Sequence, residues 1–279
     1  MHVNYWREII KSRFALAGLG AVAAIGVLAV LAPFLTPYGP FDYAGAPFSP
    51  PSAQHLLGTD DVGQDILTRL IYGGRTSLGV GVAVGIFTVA LSAVWGSAAA
   101  LTGGLADGVL MRVADAFLVL PPVFMAVLVA AYIKPSWFLL VAVLSLFMWP
   151  GGARLVRSRV LSIKASAHLD AARSFGAGLF YLVRRHIVPD LFPTLAVIFI
   201  QDARRAVFME AGLSFLGVSC LETVSWGRML QQAVKYIYLD VWKWWLLPVG
   251  LALTLTLLGF TAVGYILERA ALPRLKGVD

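Results

Sequence analysis

An apolar stretch near the middle of the second half of this 279-residue chain, residues 192–211, contains four ionisable residues. They are Asp202, Arg204, Arg205 and Glu210. In a membrane helix such groups cost about 2.5–3.5 kcal/mol each on insertion scales, so they face the protein interior or a water-filled path. Asp202 and Arg205 are three apart on one helical face, where they can pair. We favour a mutually neutralising structural cluster, with Glu210 paired to a partner subunit. The alternative is a polar path in which Arg204 or Arg205 meets a substrate carboxylate or an anionic chelate.

Other residue types that support catalysis or metal binding lack the necessary spacing. The four histidines are His2, His55, His168 and His186, and none lies at ligand-like spacing from another. The lone Cys220 excludes an intrachain disulfide and a multi-cysteine metal site. The sequence has no G-x-x-x-x-G-K-[ST], H-E-x-x-H or G-x-S-x-G motif. We therefore predict no catalytic residue, no metal site and no cofactor in this chain.

The composition indicates the environment in which these residues lie. Hydrophobic residues make up 59% of the chain and charged residues only 13%, whereas soluble domains carry about 25% charged residues. The chain is therefore predicted to be an integral membrane protein that contacts lipid. Its net charge of +7 is explained by basic loops on the cytoplasmic side, and we predict no nucleic-acid partner.

The hydropathy pattern predicts an all-α polytopic fold with six transmembrane helices. The spans are predicted at residues 14–35, 77–101, 109–133, 137–149, 192–211 and 244–267. Pro121-Pro122 predicts a kink in the third span, and the fourth is expected to continue as a helix beyond its apolar part. Residues 214–243 are predicted to form a mixed loop.

These spans divide the chain into four parts. The parts are an N-terminal tail with the first helix (1–35), a polar segment (36–76), a five-helix core (77–267) with a basic loop at 153–189, and a tail (268–279). About twice as many Lys and Arg residues lie on the side of the termini as on the other side. The positive-inside rule therefore predicts that both termini and the 153–189 loop are cytoplasmic and that 36–76 faces outward.

The longest polar interruption runs from residue 166 to 189 and predicts a helix, a glycine break and a second helix. Ser166 is expected to cap the first helix, and Asp170 favours its N-terminus. Gly176 is expected to break it, and Pro189 to end the amphipathic second segment. A helical elbow this short cannot bury itself. We therefore predict that it docks on another protein.

Asp170-Ala171-Ala172, followed by Gly176, His186 and Pro189, is similar to the EAA loop of bacterial ABC importer permeases. Asp170 stands where that family usually has glutamate. Residues 53–78, which include His55, Asp60 and Asp65, resemble the segment after the first span in the OppC/DppC branch of that family, which handles oligopeptides, dipeptides and nickel. Gln64 replaces a common arginine there. Residues 210–216 with 225–227 resemble a third signature of this branch, although Gly212 replaces a common serine.

The resemblance implies a type I ABC importer permease fold with cytoplasmic coupling helices, in the inner membrane of a bacterial-type cell. By this resemblance Asp170, Ala171, Ala172, Gly176, His186 and Pro189 couple the chain to an ATPase. The implied partners are a second homologous permease subunit, two ATP-binding subunits that hold ATP and magnesium, and an extracytoplasmic substrate-binding protein. The outer segment with His55, Asp60 and Asp65 is a candidate docking surface for that protein. The charged set at 202–210 would then belong to the translocation path.

The expected function is that of a non-catalytic permease subunit that forms half of a translocation path for di- and oligopeptides. A nickel or metal-chelate importer of the same class is the near alternative. An ATP-independent carrier or channel would show internal repeat symmetry, which the sequence lacks. An intramembrane enzyme is disfavoured because the motifs for a nucleophile or metal are missing. Co-purification with a pair of ATPases separates these alternatives.

Overall fold

The computed structural model describes residues 12–218, 220 and 222–271. Within these ranges the regular secondary structure is helical, apart from one isolated bridge between Thr59 and Asp65, which confirms the predicted all-α fold. The α-helices are α1 (Arg13–Val30), α2 (Ala32–Leu35), α3 (Ile66–Thr102), α4 (Gly104–Val119), α5 (Pro122–Tyr132), α6 (Trp137–Lys164), α7 (Ala167–Ser174), α8 (Leu179–Leu182), α9 (Val188–Phe215), α10 (Trp226–Val234) and α11 (Leu246–Ala271). A π-helical turn (Val183–Ile187) joins α8 to α9, and a 3-10 turn (Asp240–Lys243) precedes α11.

Several of these helices match the predicted spans. In the described part of the chain, four stretches are long and apolar enough to cross a membrane, namely Arg13–Val30, Ile66–Thr102, Trp137–Lys164 and Asp240–Glu268. A fifth span results if α4 and α5 are counted together, although they are bent by 72° at the break. This bend lies at the predicted Pro121-Pro122 kink, because proline cannot continue the hydrogen-bonding ladder of α4.

The predicted fifth span lies within α9. This helix carries too many charged residues to count as a membrane span by the same criteria of length and composition. Every 18-residue stretch of α9 includes Asp202, Arg204 and Arg205. The count of six transmembrane helices therefore remains a prediction. The expected extension of the fourth span is confirmed, since α6 continues as a helix through Pro150 to Lys164.

Helices occur within two stretches that the sequence predicted to lie between membrane spans. The polar segment was expected to extend to residue 76, but α3 already begins at Ile66, where the Asp65 carboxylate accepts a hydrogen bond from the backbone N–H of Thr68 at 2.8 Å. This N-cap allows a helix to begin among polar residues, because it satisfies an otherwise unpaired donor. Residues 214–243 were expected to form a loop, but they contain α10, which Ser225 caps in the same way.

The central helix is α3, which packs along α6, α9 and α1. Gly81 shows how closely α3 and α9 approach: a Cβ at this position would lie 2.5 Å from Val207 Cγ2 and 3.0 Å from the backbone oxygen of Ala203. Small residues at such crossings allow transmembrane helices to make extensive van der Waals contact. Residues 36–65, which we call the outer segment after the side predicted for them, pack on this framework through a cluster around Trp226 and Trp245, whose side chains are fully buried.

Candidate functional site

The elbow at residues 166–189 forms the glycine-broken pair of helices that its sequence predicts. Gly176 has φ +83°, and its N–H donates to Arg173 O at 2.9 Å while the N–H of Ala177 donates to Ala172 O at 3.1 Å. These two bonds form a Schellman motif, in which glycine tolerates the left-handed backbone that ends a helix. The chain therefore turns sharply after α7.

The start of α7 differs from the prediction. Ser166 occupies the N-cap position, but its side chain caps no N–H of α7. Its hydroxyl instead donates to the backbone oxygen of Ile163 at 2.5 Å. The last carbonyl groups of α6 have no N–H partner within that helix, so one of them accepts the hydrogen bond from this hydroxyl. Asp170 does lie in the first turn, and it forms an exposed ion pair with Arg173 at 3.1 Å.

Pro189 does not end the second segment, which is the other error in the predicted elbow. The helix runs from Leu179 through the π-helical turn directly into α9. In this turn the N–H of Val188 donates to Val183 O, five residues earlier. Proline lacks an N–H and normally clashes with the preceding turn, and a wider π turn gives room for it. The second segment of the elbow, from Leu179, and α9 are thus one continuous helix.

One side of the elbow is attached to the membrane helices. Leu169 of α7 is fully buried and belongs to a cluster that includes Val160 and Ile163 of α6 and Leu182 of α8. The Lys164 ammonium also donates to the backbone oxygen of Ala100, at the end of α3, at 2.7 Å. Leu169 thus fixes α7 against α6 and α8, and Lys164 ties the end of α6 to α3.

The other side of the elbow is open. Phe175 is 92% exposed and Phe180 is 77% exposed. Next to them is an open groove of about 640 Å³ lined by Ala172, Phe175, Gly176, Ala177, Gly178, Tyr181 and His186. Of the residues predicted to couple, Asp170, Ala171, Gly176 and Pro189 are exposed, and Ala172 and His186 are partly so. The predicted coupling residues therefore all lie on the elbow and are at least partly exposed.

The histidines of the elbow lie near each other without forming a metal site. His168 Nε2 is 3.5 Å from Asp190 Oδ2, and the rings of His168 and His186 are 5.9 Å apart between centroids. In the ranges that the structure describes, no group of three or more His, Cys, Asp or Glu side chains is arranged to hold a metal ion. The His168–Asp190 contact instead links α7 to the start of α9.

The ionisable residues of α9 separate into an exposed and a buried set. Arg205 Nη1 lies 3.7 Å from Asp202 Oδ1, which agrees with the predicted pairing across one helical turn. The Arg205 side chain is 55% exposed and that of Asp202 only 6%. Oδ2 of Asp202 is buried and has no hydrogen-bond partner among the described residues. Arg204 contacts the hydroxyl of Thr261 on α11 at 3.4 Å.

Glu210 belongs to the buried set and joins three elements of the chain. Its two carboxylate oxygens accept hydrogen bonds from Ser77 of α3 and Ser214 of α9, both at 2.7 Å. The Ser77 oxygen in turn accepts the backbone N–H of Trp226, the first residue of α10, at 3.3 Å. Glu210 is therefore held within its own chain. The predicted pairing of Glu210 with a partner subunit does not agree with this burial.

The outer segment is built on buried polar contacts. His55 Nδ1 lies 3.0 Å from Asp65 Oδ1, and Asp60 forms an ion pair with Arg69 of α3. Asp60 also accepts the backbone N–H of Gln64 at 2.8 Å. His55, Asp60 and Asp65 were predicted to contact a docked protein, but all three are buried and cannot do so directly. They determine the shape of the segment because buried polar groups need fixed partners.

The start of α3 is also tied to α10, and the outer segment to the turn that follows α10, through residues that the sequence did not identify as functional. Arg69 donates to Gln232 Oε1 at 2.9 Å, and the Tyr236 hydroxyl donates to Asp61 Oδ2 at 3.1 Å. The hydrogen bond to Asp61 raises the pKa of Tyr236 above its usual value. The two residues of each pair are far apart in the sequence, so no local sequence pattern predicted their contact.

Comparison with known proteins places this architecture in a family. The family model described as "Binding-protein-dependent transport system inner membrane component" matches residues 92–277. A second model, "N-terminal TM domain of oligopeptide transport permease C", matches residues 4–51. The chain therefore belongs to the family of inner-membrane components of binding-protein-dependent transport systems, which confirms the resemblance seen in the sequence.

Individual relatives match along nearly the whole chain. The dipeptide transport system permease protein DppC of Bacillus subtilis (strain 168) is 32% identical over 97% of this chain and 85% of its own length. The oligopeptide transport system permease protein OppC of the same organism is 30% identical over 98% of this chain and 91% of its own length. These relatives are permease subunits rather than enzymes, as the sequence predicted for this chain.

A solved structure has the same fold. It is an inward-facing conformation of the MetNI methionine ABC transporter, and the match has a TM-score of 0.56 at 18% identity. It covers 72% of this chain and 97% of the matched chain. At this identity the match supports the fold only, and that fold is the one predicted from the sequence.

Proposed function

We propose that this chain is a transmembrane permease subunit of an ATP-driven importer and forms half of a translocation path for di- and oligopeptides. The observation that carries the proposal is the elbow, which is fixed to the membrane helices on one side and exposes aromatic side chains on the other. In a member of this permease family, that surface suits the coupling contact with an ATP-binding subunit.

The elbow is suited to transmit movement. The helix is continuous from Leu179 to Phe215, so displacement of the elbow also displaces the ionisable residues of α9. Leu169 links the same elbow to α6, and Lys164 at the end of α6 links that helix to α3. A rigid-body movement of an ATPase pair would therefore reach three membrane helices at once. Asp170, Ala171, Ala172, Gly176, His186 and Pro189 are the proposed coupling residues.

The substrate class rests on the relatives. Their names specify dipeptide and oligopeptide transport, which favours peptides over the nickel or chelate alternative. The exposed Arg205 and its neighbour Arg204 on α9 are the proposed positive groups of the path, where they would meet a peptide carboxylate. Asp202 holds Arg205 from the buried side.

The proposed assembly contains a second permease subunit, two ATP-binding subunits that carry ATP and magnesium, and an extracytoplasmic binding protein. The distribution of basic residues supports a cytoplasmic location for both termini and the elbow, although residues 1–11 and 272–279 lie outside the described residues. The outer segment (36–65) and α10 would then form the docking surface for the binding protein. Exposed residues of the outer loops, such as Leu56 and Tyr238, would make the contacts.

Reconstitution tests the function directly. The chain is co-expressed with the partner permease and the ATPases of its source organism, purified, and placed in vesicles with the loaded binding protein. We expect ATP-dependent uptake of a labelled dipeptide and no uptake of nickel. The matched control carries an ATPase whose phosphate-loop lysine is replaced, which should abolish uptake. Recovery of the chain without any ATPase, or uptake that is indifferent to ATP, would contradict the proposal.

A further inference from the structure

A cavity of about 390 Å³ opens at the end of the bundle where the outer segment lies. We call it the outer pocket; its lining includes Phe41, Tyr72, Arg75, Thr76, Trp137 and Glu222. Tyr72, Arg75 and Thr76 share one face of α3, because residues three and four apart lie on the same side of a helix. Phe41 comes from the outer segment, Trp137 begins α6, and Glu222 lies between α9 and α10.

The pocket contains a cation that the described structure leaves without a partner. The Arg75 side chain is exposed and forms no hydrogen bond or ion pair with any described residue. The acidic group of the pocket, Glu222, is also exposed, and among the described residues it forms an ion pair only with Lys134, at 3.2 Å. Aromatic rings of Phe41, Tyr72 and Trp137 form much of the remaining wall. The pocket thus combines a free guanidinium, a carboxylate and apolar surfaces.

This combination fits the two ends of a peptide. A guanidinium binds a carboxylate through two parallel hydrogen bonds, and a carboxylate binds an ammonium group. Aromatic walls accept side chains of varied shape because their contact is largely non-directional. A phospholipid headgroup would meet Arg75 equally well, but the negative charge of Glu222 opposes an anionic lipid.

The pocket also adjoins a cavity inside the bundle. This second cavity, of about 30 Å³, shares Thr76, Trp137 and Thr223 with it. This inner cavity lies among α3, α5, α6 and α9 and is lined mainly by apolar residues, with Glu210 and Ser214 at its polar side. A ligand in the outer pocket would therefore lie at the entrance to the interior of the helix bundle.

We propose that the outer pocket is a peptide-binding site at the entrance of the path, in which Arg75 binds the α-carboxylate and Glu222 the α-ammonium group. This inference rests on the proposed function, since it assigns the substrate of that path to a specific place. It differs from the site on α9, because Arg204 and Arg205 do not line the outer pocket.

Protection of an introduced thiol tests the site in the reconstituted transporter. The variant is Thr76→Cys, made with Cys220→Ser so that the chain carries one thiol. A membrane-impermeant thiol reagent is added from the outer side, with and without the dipeptide Ala-Phe. We expect Ala-Phe to slow the modification, and its C-terminal amide and N-acetyl forms to protect far less.

Substitution of the arginine supplies the decisive comparison. With Arg75→Gln, half-protection should require about tenfold more Ala-Phe, because one charge-assisted contact is lost. Arg75→Lys should retain part of the protection, and the control Lys243→Gln, an exposed cation outside the pocket, should retain all of it. Assembly with the ATPases is measured in each variant so that a folding defect is recognised.

The outcomes separate this inference from the proposed function, because dipeptide uptake is measured in the same vesicles. Uptake without protection of the introduced thiol by Ala-Phe would overturn the peptide site and leave the importer function intact. Protection by added phosphatidylglycerol, but not by Ala-Phe, would also overturn it and would assign the pocket to lipid. Absence of both uptake and protection would overturn the proposed function itself.

Discussion

Asp60 and Arg69 form an ion pair that is almost completely shielded from solvent at the junction of the outer segment and α3. Asp60 also holds the backbone of its own loop, through the N–H groups of Val62 and Gln64. Arg69 extends the contact to Gln232 on α10. One buried pair thus determines how the outer segment and α10 lie relative to the membrane helix between them.

We expect Arg69→Gln to destabilise the outer segment strongly, by about 3–5 kcal/mol, because removal of one partner leaves a buried carboxylate without its counter-charge. Proteolysis of residues 36–65 in the purified complex, followed over a temperature series, measures the effect. The control is Lys134→Gln, which breaks a solvent-exposed pair with Glu222 and should change little. Equal resistance of both variants would show that the Asp60–Arg69 pair does not stabilise the segment.

The sequence predicted those features that depend on neighbours in the chain. Gly176 ends α7 because the backbone there needs φ above zero, and Asp202 pairs with Arg205 because they are one helical turn apart. Long-range contacts had no such signal. Arg69 and Gln232 are separated by 163 residues. Their contact exists only in the folded chain, so the sequence around either residue does not predict it.

Local signals also failed where tertiary packing overrides them. Pro189 was expected to end a helix, but the helix continues through a π-helical turn that accommodates the proline. The second span was predicted to start at residue 77, yet α3 begins at Ile66, and its polar residues Thr68 and Arg69 are buried. Burial of polar side chains cannot be read from polarity alone.

Leu169 is expected to attach the elbow to the membrane helices. Leu169→Ala removes a fully buried side chain, at a cost of about 2–5 kcal/mol. We expect faster hydrogen exchange of α7 and loss of the stimulation of ATP hydrolysis by the loaded binding protein. The matched control is Leu161→Ala on α6, whose side chain is 37% exposed. Normal exchange and stimulation in the Leu169 variant would contradict the proposed attachment.

Phe175 tests the opposite side of the elbow. Its side chain is exposed, so Phe175→Ala should change the stability of the isolated chain by less than about 0.5 kcal/mol. Loss of an aromatic anchor at an interface costs about 2 kcal/mol or more, which corresponds to a decrease of about thirtyfold in affinity for the ATPase. Titration of the ATPase onto the chain in nanodiscs measures this affinity. Phe138→Ala, at the exposed start of α6, should leave it unchanged, and an equal affinity of the two variants would remove Phe175 from the coupling surface.

The cations of α9 distinguish a path from a structural cluster. If Arg205 lines the path, Arg205→Ala should reduce dipeptide uptake by about tenfold through loss of a charge-assisted contact, while the complex still assembles with its ATPases because this side chain is largely exposed. Arg204→Ala should act in the same direction, and Arg205→Lys should retain part of the uptake because it keeps the charge. Uptake is measured in vesicles with equal amounts of assembled complex. Wild-type uptake in both alanine variants would remove the path function from α9, and failure of assembly in both would assign these arginines to the structural cluster with Asp202.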